Sequence, residues 1–237
     1  MTINHSYFFS LAFHLAEKNL GQTGLNPSVG SIVVKNNAVI SSGVTSINGR
    51  PHAEFNALNK IKNTKGATLY TSLEPCTHQG KTPPCTNIII KKKIKKVYYS
   101  FDDPDIRTYK KAKKILNKKG IKVKLIKSEK YINFYRSYFI NKKLNISFIS
   151  SKIAISKDYF TIYKKEKWIT NNFSRKVAHL IRSQHDGIIS TSKSINSDNS
   201  LLNCRLDGLD NKKPDLFIID LNLKLKSNLL INKFLKK

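Results

Sequence analysis

The chain has 237 residues, and its 43 Lys and Arg outnumber its 15 Asp and Glu, which gives a formal net charge of +28 at pH 7. Because 40% of the residues are hydrophobic, the chain can bury a core, and disorder along its whole length is excluded. That length suits one large domain or two small ones. The sequence contains no uncharged apolar run of about 18 residues and no secretory signal pattern, so we expect a cytoplasmic protein without a membrane partner.

The positive charge by itself would fit a nucleic-acid partner, since basic side chains displace counterions from phosphates. Only six of the basic residues are arginines, however, and arginine is the side chain better suited to phosphate. We therefore interpret the charge as solvated surface with a minor part in attracting an anionic substrate, and we expect no nucleic-acid partner. The cysteines are too few for a disulfide framework and point to metal binding or catalysis at Cys76 and Cys85, with Cys204 as a buried core thiol.

Helical and strand patterns alternate through the first half of the chain. Apolar residues at helical spacing predict a helix over 7–16 that ends by Gly21–Gly24. The elements expected next are strands over 31–35 and 39–44 joined by an Asn36-Asn37 turn, a helix over 52–61, a strand over 67–73, a helix from 84, a strand over 97–101, a helix over 108–119 and a strand over 121–126. This order predicts an α/β fold in which helices sandwich a mixed sheet.

A second module is expected from residue 144 onward. The patterns predict a strand over 146–155, a helix over 172–182, and short buried strands over 187–190 and 216–220. We therefore divide the chain into domains at 1–143 and 144–237.

Four side chains that suit metal chemistry stand at element boundaries of the first module. His52 and Glu54 open a predicted helix, Cys76 follows a strand, and Cys85 opens the next helix. One imidazole and two thiolates suit tetrahedral zinc and leave a fourth position open, as in a catalytic site. Glu54 lies too close to His52 in sequence to share the metal easily, so it is the candidate proton carrier. The alternative is that His52 caps a helix and the cysteines are simply buried.

The motif His-x-Glu followed by Pro-Cys and a second cysteine is that of zinc deaminases. Here eight residues separate the cysteines, and the run from Cys76 to Cys85, CTHQGKTPPC, closely resembles the bifunctional riboflavin-biosynthesis deaminase/reductase family. Further stretches resemble the same family: NPSVG from Asn26, PHAEFNAL from Pro51, GATLYTSLEP from 66 to 75, and Asp103-Pro104. The resemblance covers residues 1–140.

This resemblance implies a cytidine-deaminase-like three-layer αβα sandwich that carries Zn²⁺. The implied reaction is hydrolytic removal of the 2-amino group of a diamino-pyrimidinone ribosylamine phosphate, with Glu54 carrying the proton to the leaving ammonia. Asn26 would hold the sugar or ring edge, and His78 and Lys81 would meet the ring and phosphate. The alternatives are that Asn26 is a turn former and that the other two belong to a solvated loop. One departure is Asp105, because an acid there would disfavour an anionic ligand.

The second module resembles the start of the family's dihydrofolate-reductase-like half. Positions that match the family pattern are Lys152, Trp168, Thr170, Arg182, Asp198 and Arg205. Tyr159, Thr191 and Lys193 replace family glycines, and a Cβ obstructs close backbone approach to a dinucleotide. With these departures and few residues left, we expect a partial module, no NADPH-dependent reductase activity, and a homo-oligomer or a separate reductase chain as partner.

Two other functions remain open at this stage. A tRNA or nucleotide deaminase of the same superfamily would suit the charge, but it is expected to have a short spacing between its cysteines. A non-catalytic zinc- or RNA-binding scaffold would have no use for Glu54.

Overall fold

A five-stranded mixed sheet organises the first of the two units into which the chain divides, Met1–Ile149 and Ser150–Lys237. The computed structural model describes residues 4–161, 168–209 and 214–234. The sheet order is β2-β1-β3-β4-β5, with β1 antiparallel to β2 and β3, and with β3, β4 and β5 parallel. The strands are β1 (Gly30–Lys35), β2 (Ala38–Val44), β3 (Thr68–Thr71), β4 (Lys96–Tyr99) and β5 (Lys122–Leu125).

The turn between the first two strands follows the sequence prediction. Asn36 and Asn37 both have positive φ, 51° and 59°, and Lys35 pairs with Ala38 across them. Two positive φ values match the right-handed twist of a hairpin, and asparagine tolerates them better than most residues. The hairpin sets the register between β1 and β2, and β1 in turn lies between β2 and β3 in the sheet.

Five helices cover the two faces of this sheet. They are α1 (His5–Lys18), α2 (Ala53–Asn59), α3 (Cys85–Lys91), α4 (Ala112–Asn117) and α5 (Arg136–Leu144). Along β1, Ile32 and Val34 belong to the core under α1 and α5, whereas Val33 belongs to the core under α2, α3 and α4. This alternation follows from the period of two along a strand. The predicted mixed sheet between two helical layers is confirmed.

One helix is shorter than the sequence predicts. Residues 108–111 form turns, and α4 begins only at Ala112. Lys110 has a φ of 56°, which a helix does not accommodate. The backbone N–H groups of Lys110 and Ala112 instead donate to the carboxylate of Glu74. A buried acceptor far away in sequence therefore competes with the local helical pattern.

The second unit contains a small parallel sheet of two strands. Helix α6 (Asn172–Ser183) precedes β6 (Gly187–Thr191), α7 (Ser192–Asp198) and β7 (Asp215–Ile219). The helix and both strands lie where the sequence patterns predict them, but the prediction that the strands are buried is wrong, because every residue of β6 and β7 is half-buried or exposed. The sequence patterns do not predict α5 and α7.

The strand predicted over 146–155 is wrong, because these residues form no regular secondary structure. Ile149 is 80% exposed and Ile153 is 70% exposed, so the alternating isoleucines face no core. A strand needs a neighbour for its N–H and C=O groups, and periodicity alone does not provide one. No described helix is long and apolar enough to cross a membrane.

Candidate metal centre

The four residues of the predicted metal site come together at the ends of three elements. His52 has extended backbone immediately before α2, Cys76 follows β3 after a short loop, and Cys85 is the first residue of α3. His52 occupies the N-cap position of α2, but its side chain makes no capping hydrogen bond, so the alternative that this side chain serves as the helix cap is wrong. Both cysteines are buried and free of disulfides.

The side-chain distances at this point suit a tetrahedral metal ion. Nδ1 of His52 lies 3.4 Å from Sγ of Cys76 and 3.4 Å from Sγ of Cys85. All three candidate ligand atoms lie within 4.8 Å of one another. Zinc bonds of usual length at a tetrahedral angle place a nitrogen and a sulfur ligand about 3.6 Å apart. This donor set therefore fits zinc, the cofactor that the sequence predicts.

Backbone and hydrogen-bond contacts prepare Cys76 for a cation. The backbone N–H of Cys85, at the start of α3, donates to Sγ of Cys76 over 3.2 Å. A hydrogen bond from the Cys85 thiol lowers the pKa of Cys76, with His52 contributing in the same direction. Because the thiolate is the metal-binding form, the site favours ligation at Cys76 before any ion arrives.

Arg50 connects the histidine to the loop between the cysteines. Its Nη1 lies 3.4 Å from Nε2 of His52 and donates to Oγ1 of Thr82 over 2.6 Å. The preceding Gly49 has a φ of 84°, and a Cβ there would lie 2.4 Å from Nδ2 of Asn26. Glycine is therefore required at this turn, which sets the approach of the chain to His52.

Glu54 lies in the first turn of α2 and is only 3% exposed. Burial raises its pKa to about 7, and the negative charge of Cys76 acts in the same direction. Cys85 makes a hydrogen bond with this carboxyl group, which acts in the opposite direction. The carboxyl group therefore lies within the metal centre without being part of the three-residue donor set.

The residues predicted to contact substrate lie on the loops around this centre. Asn26 donates through Nδ2 to the carbonyl oxygen of Gly49 over 3.2 Å, next to Arg50. In the loop between the cysteines, Nδ1 of His78 lies 3.3 Å from Oγ1 of Thr108, and Lys81 is exposed. Their contact with substrate stays a prediction.

Glu74 has a structural role that the sequence motif did not indicate. It is 2% exposed, and its carboxylate accepts backbone hydrogen bonds from Asp103, Lys110 and Ala112 at 3.0–3.2 Å. The sequence signal was present, since a glutamate between the apolar Leu73 and Pro75 at a strand end is unusual in a core. Local patterns, however, do not identify the three donors.

Some residues that match the reductase pattern contact one another in the second unit, and others are exposed to solvent. The guanidinium of Arg175 lies 4.7 Å from the ring centre of Trp168 and donates to the carbonyl oxygen of Thr170. Lys152 and Asp198 are exposed.

Arg182 and His179 contact the backbone on either side of the buried Cys204 of this unit. Arg182 donates through Nη1 to the carbonyl oxygen of Asn203 over 2.6 Å, and the backbone N–H of Arg205 lies 3.3 Å from Nδ1 of His179. Cys204 is 1% exposed and contacts the carbonyl oxygen of His179, in agreement with the predicted core thiol.

Comparisons with known proteins agree with this site and fold. Residues 2–101 match the family model of the cytidine and deoxycytidylate deaminase zinc-binding region. The first unit therefore has the zinc-binding deaminase fold, and zinc as the predicted cofactor is confirmed. Riboflavin biosynthesis protein RibD of Bacillus amyloliquefaciens is 35% identical over 223 residues, and RibD of Aquifex aeolicus is 35% identical over 222 residues.

The solved structures extend the likeness to both units. Acinetobacter baumannii RibD superposes with a TM-score of 0.85 and 30% identity, covering 97% of this chain and 67% of that one. A Thermotoga maritima diaminohydroxyphosphoribosylaminopyrimidine deaminase/reductase superposes with a TM-score of 0.84 and 30% identity, covering 96% of this chain and 66% of that one. The chain belongs to the RibD family. It covers 59% and 62% of the lengths of the Bacillus and Aquifex proteins.

Proposed function

We propose that the first unit catalyses hydrolytic deamination of diaminohydroxyphosphoribosylaminopyrimidine, the substrate in the name of the Thermotoga relative. The observation that carries this proposal is the buried Glu54 beside the His52, Cys76 and Cys85 group. A metal-binding scaffold needs the three ligands alone. A buried carboxyl group next to them is costly unless it takes part in proton transfer.

In this proposal His52, Cys76 and Cys85 hold the zinc ion, which when bound activates water for attack on the ring carbon. Glu54 accepts a proton at its carboxylate and delivers it to the leaving amine. A pKa of about 7 makes both protonation states of Glu54 accessible near neutral pH. The buried position of Glu54 also keeps bulk water from competing for that proton.

Three further residues are proposed to bind the substrate. Asn26 adjoins the turn that carries Arg50 and His52, where an amide can meet a sugar or ring edge. His78 and Lys81 lie in the loop between the cysteines, and the exposed Lys81 ammonium suits a phosphate. The positive net charge would draw such a phosphorylated substrate toward the protein.

We propose that residues 144–237, which include the second unit, form a reductase-like module without reductase activity. Tyr159 stands where the family pattern has glycine, and its φ of 68° is a conformation that suits glycine better than tyrosine. Several apolar side chains of the small sheet are exposed, among them Ile189 and Phe217. These exposed side chains support self-association or binding of a separate reductase chain.

The free thiols favour a reducing compartment, the cytoplasm.

The deaminase proposal is tested by ammonia release from the phosphorylated diamino-pyrimidinone with purified, zinc-loaded protein. Glu54→Gln should keep its zinc and lose about 10²–10⁴-fold of the rate, the usual contribution of general acid–base catalysis. Glu129→Gln, on the exposed surface, serves as the matched control. Equal rates in Glu54→Gln and the wild type would refute the mechanism.

The reductase and assembly proposals need separate measurements. With NADPH and the deaminated product, the chain should not oxidise the cofactor, and measurable oxidation would refute the proposed inactivity. Light scattering on a sizing column gives the mass of the protein in solution.

A further inference from the structure

The carboxylate of Glu74 holds a whole loop by its backbone. Oε2 accepts from the N–H of Asp103 over 3.2 Å and of Lys110 over 3.0 Å, while Oε1 accepts from the N–H of Ala112 over 3.0 Å. These donors lie in the segment 103–112, which we call the tethered loop. Both ends of the loop are therefore attached to one side chain at the end of the strand that leads to Cys76.

The tethered loop in turn contacts the segment that follows Cys76. Oγ1 of Thr77 donates to the carbonyl oxygen of Arg107 over 2.9 Å. Oγ1 of Thr108 lies 3.3 Å from Nδ1 of His78 and 3.5 Å from the backbone N of Thr77. Thr108 is completely buried, so its hydroxyl has a fixed position. A continuous path of contacts thus runs from Glu74 through Thr108 to His78.

A second attachment holds the same loop to α5. Oδ1 of Asp103 accepts from the hydroxyl of Tyr138 over 2.9 Å and from the backbone N–H of Asp105 over 2.9 Å. This attachment holds the start of the tethered loop. The later part of the loop, which carries Thr108, is held by Glu74. Losing Glu74 should therefore loosen the loop without releasing it from the fold.

The backbone contacts of Glu74 explain why a carboxylate occupies this buried position. Among the described residues, no ion pair compensates the charge of Glu74, and burying a charge without an opposite charge is unfavourable. An apolar side chain would avoid the cost of a buried charge, but it would leave the backbone N–H groups of Asp103, Lys110 and Ala112 without this acceptor. The carboxylate differs from such a side chain in one respect, which is that two oxygens can hold three backbone donors at once.

We propose that Glu74 is a positioning residue for substrate binding: it fixes the tethered loop so that Thr108 holds His78 in place beside Cys76. The proposal rests on the proposed deaminase function, in which His78 meets the substrate. Glu74 itself touches neither metal nor substrate in this arrangement. Its effect therefore falls on KM for the phosphorylated pyrimidine and not on the chemical step.

A double-mutant cycle on the zinc-loaded full chain tests this path. Glu74→Gln offers one acceptor oxygen in place of two, and Thr108→Val removes the hydroxyl while keeping the shape. Each should raise KM about tenfold, as for loss of a hydrogen bond to a charged or functional group, with kcat within about twofold and zinc content unchanged. KM of the double variant should also rise about tenfold, because the effects of two substitutions on one path do not add. Glu129→Gln is the control.

The outcomes separate this proposal from the deaminase function itself. An additive, roughly hundredfold rise in KM in the double variant, a loss confined to kcat, or loss of zinc would each overturn the positioning role. If the wild type releases no ammonia, the proposed function fails. Hydrogen exchange then tests whether Glu74 holds the tethered loop. The amides of Lys110 and Ala112 should exchange at least about tenfold faster in Glu74→Gln. Unchanged exchange would refute the tether.

Discussion

Asp105 is fully engaged by Arg107, two residues further along the chain. Its Oδ1 accepts from the backbone N of Arg107 over 3.0 Å and from Nε over 2.8 Å, and its Oδ2 lies 2.5 Å from Nη2. Lys142 of α5 approaches the same carboxylate at 3.5 Å. The acid that the sequence suggests would oppose an anionic ligand is therefore charge-compensated, which removes that objection to a phosphorylated substrate.

This pair predicts a specific dependence of stability on pH. The hydrogen bonds from Arg107 lower the pKa of Asp105 below its ordinary value. A lowered folded-state pKa means that the stabilisation is complete above the unfolded-state value of about 3.9 and is lost as the pH falls through the folded-state value. Asp105→Asn should therefore lower the free energy of unfolding by about 1 kcal/mol at pH 7. This difference between the wild type and the variant should shrink below about pH 4. Urea unfolding at several pH values measures it, and a margin constant down to pH 3 would contradict it.

The proposed ligand set predicts which cysteine matters for the metal. Cys85→Ser should lose most of its bound zinc and its ammonia release, because a hydroxyl is a much poorer zinc ligand than a thiolate. Cys204→Ser changes a cysteine that is equally buried but lies in the other unit, so its zinc content should stay that of the wild type. Metal analysis of the two purified variants distinguishes them, and equal zinc in both would exclude Cys85 as a ligand.

Removal of the metal should lower the thermal stability of the first unit. An ion that binds the folded state alone stabilises it, by about 4 kcal/mol at a free concentration of 1,000 Kd. A chelator should therefore lower Tm by several degrees, and added zinc should restore it, whereas magnesium should not, because thiolates select zinc. The same treatment of Cys85→Ser should leave Tm unchanged. A wild-type Tm that is unchanged by the chelator would argue against a structural contribution of the ion.

The turn before His52 should tolerate no side chain at Gly49. A Cβ there would lie 2.4 Å from Nδ2 of Asn26 and 2.5 Å from the carbonyl oxygen of Thr23, in addition to the strain of a φ of 84°. At Gly66 the φ is similar, 79°, but a Cβ would meet nothing within 4 Å. Gly66→Ala should therefore cost about 1 kcal/mol from strain alone, and Gly49→Ala should cost clearly more. Denaturant unfolding of both variants measures the difference, and equal costs would show that the turn yields.

Much of the first unit follows from short-range patterns in the sequence. The Asn36-Asn37 turn, the alternation along β1 and the placement of His52, Cys76 and Cys85 at element ends are properties of neighbouring residues. Spacing and residue type therefore suffice to propose zinc, Glu54 and the family. The helix over 172–182 and the short strands of the second unit follow in the same way.

Tertiary contacts decided the remainder. The two sulfur distances to His52 join residues 24 and 33 positions apart, and Glu74 reaches Lys110 and Ala112 across 36 and 38 positions. Periodicity within a segment carries no information on such distant partners, which is why the pattern extends α4 too far and proposes a strand over 146–155 that has no neighbour. The sequence by itself determined which residues are candidates for the metal chemistry. The tertiary structure decided which loop Glu74 holds, because a buried carboxylate takes its donors from wherever the chain returns.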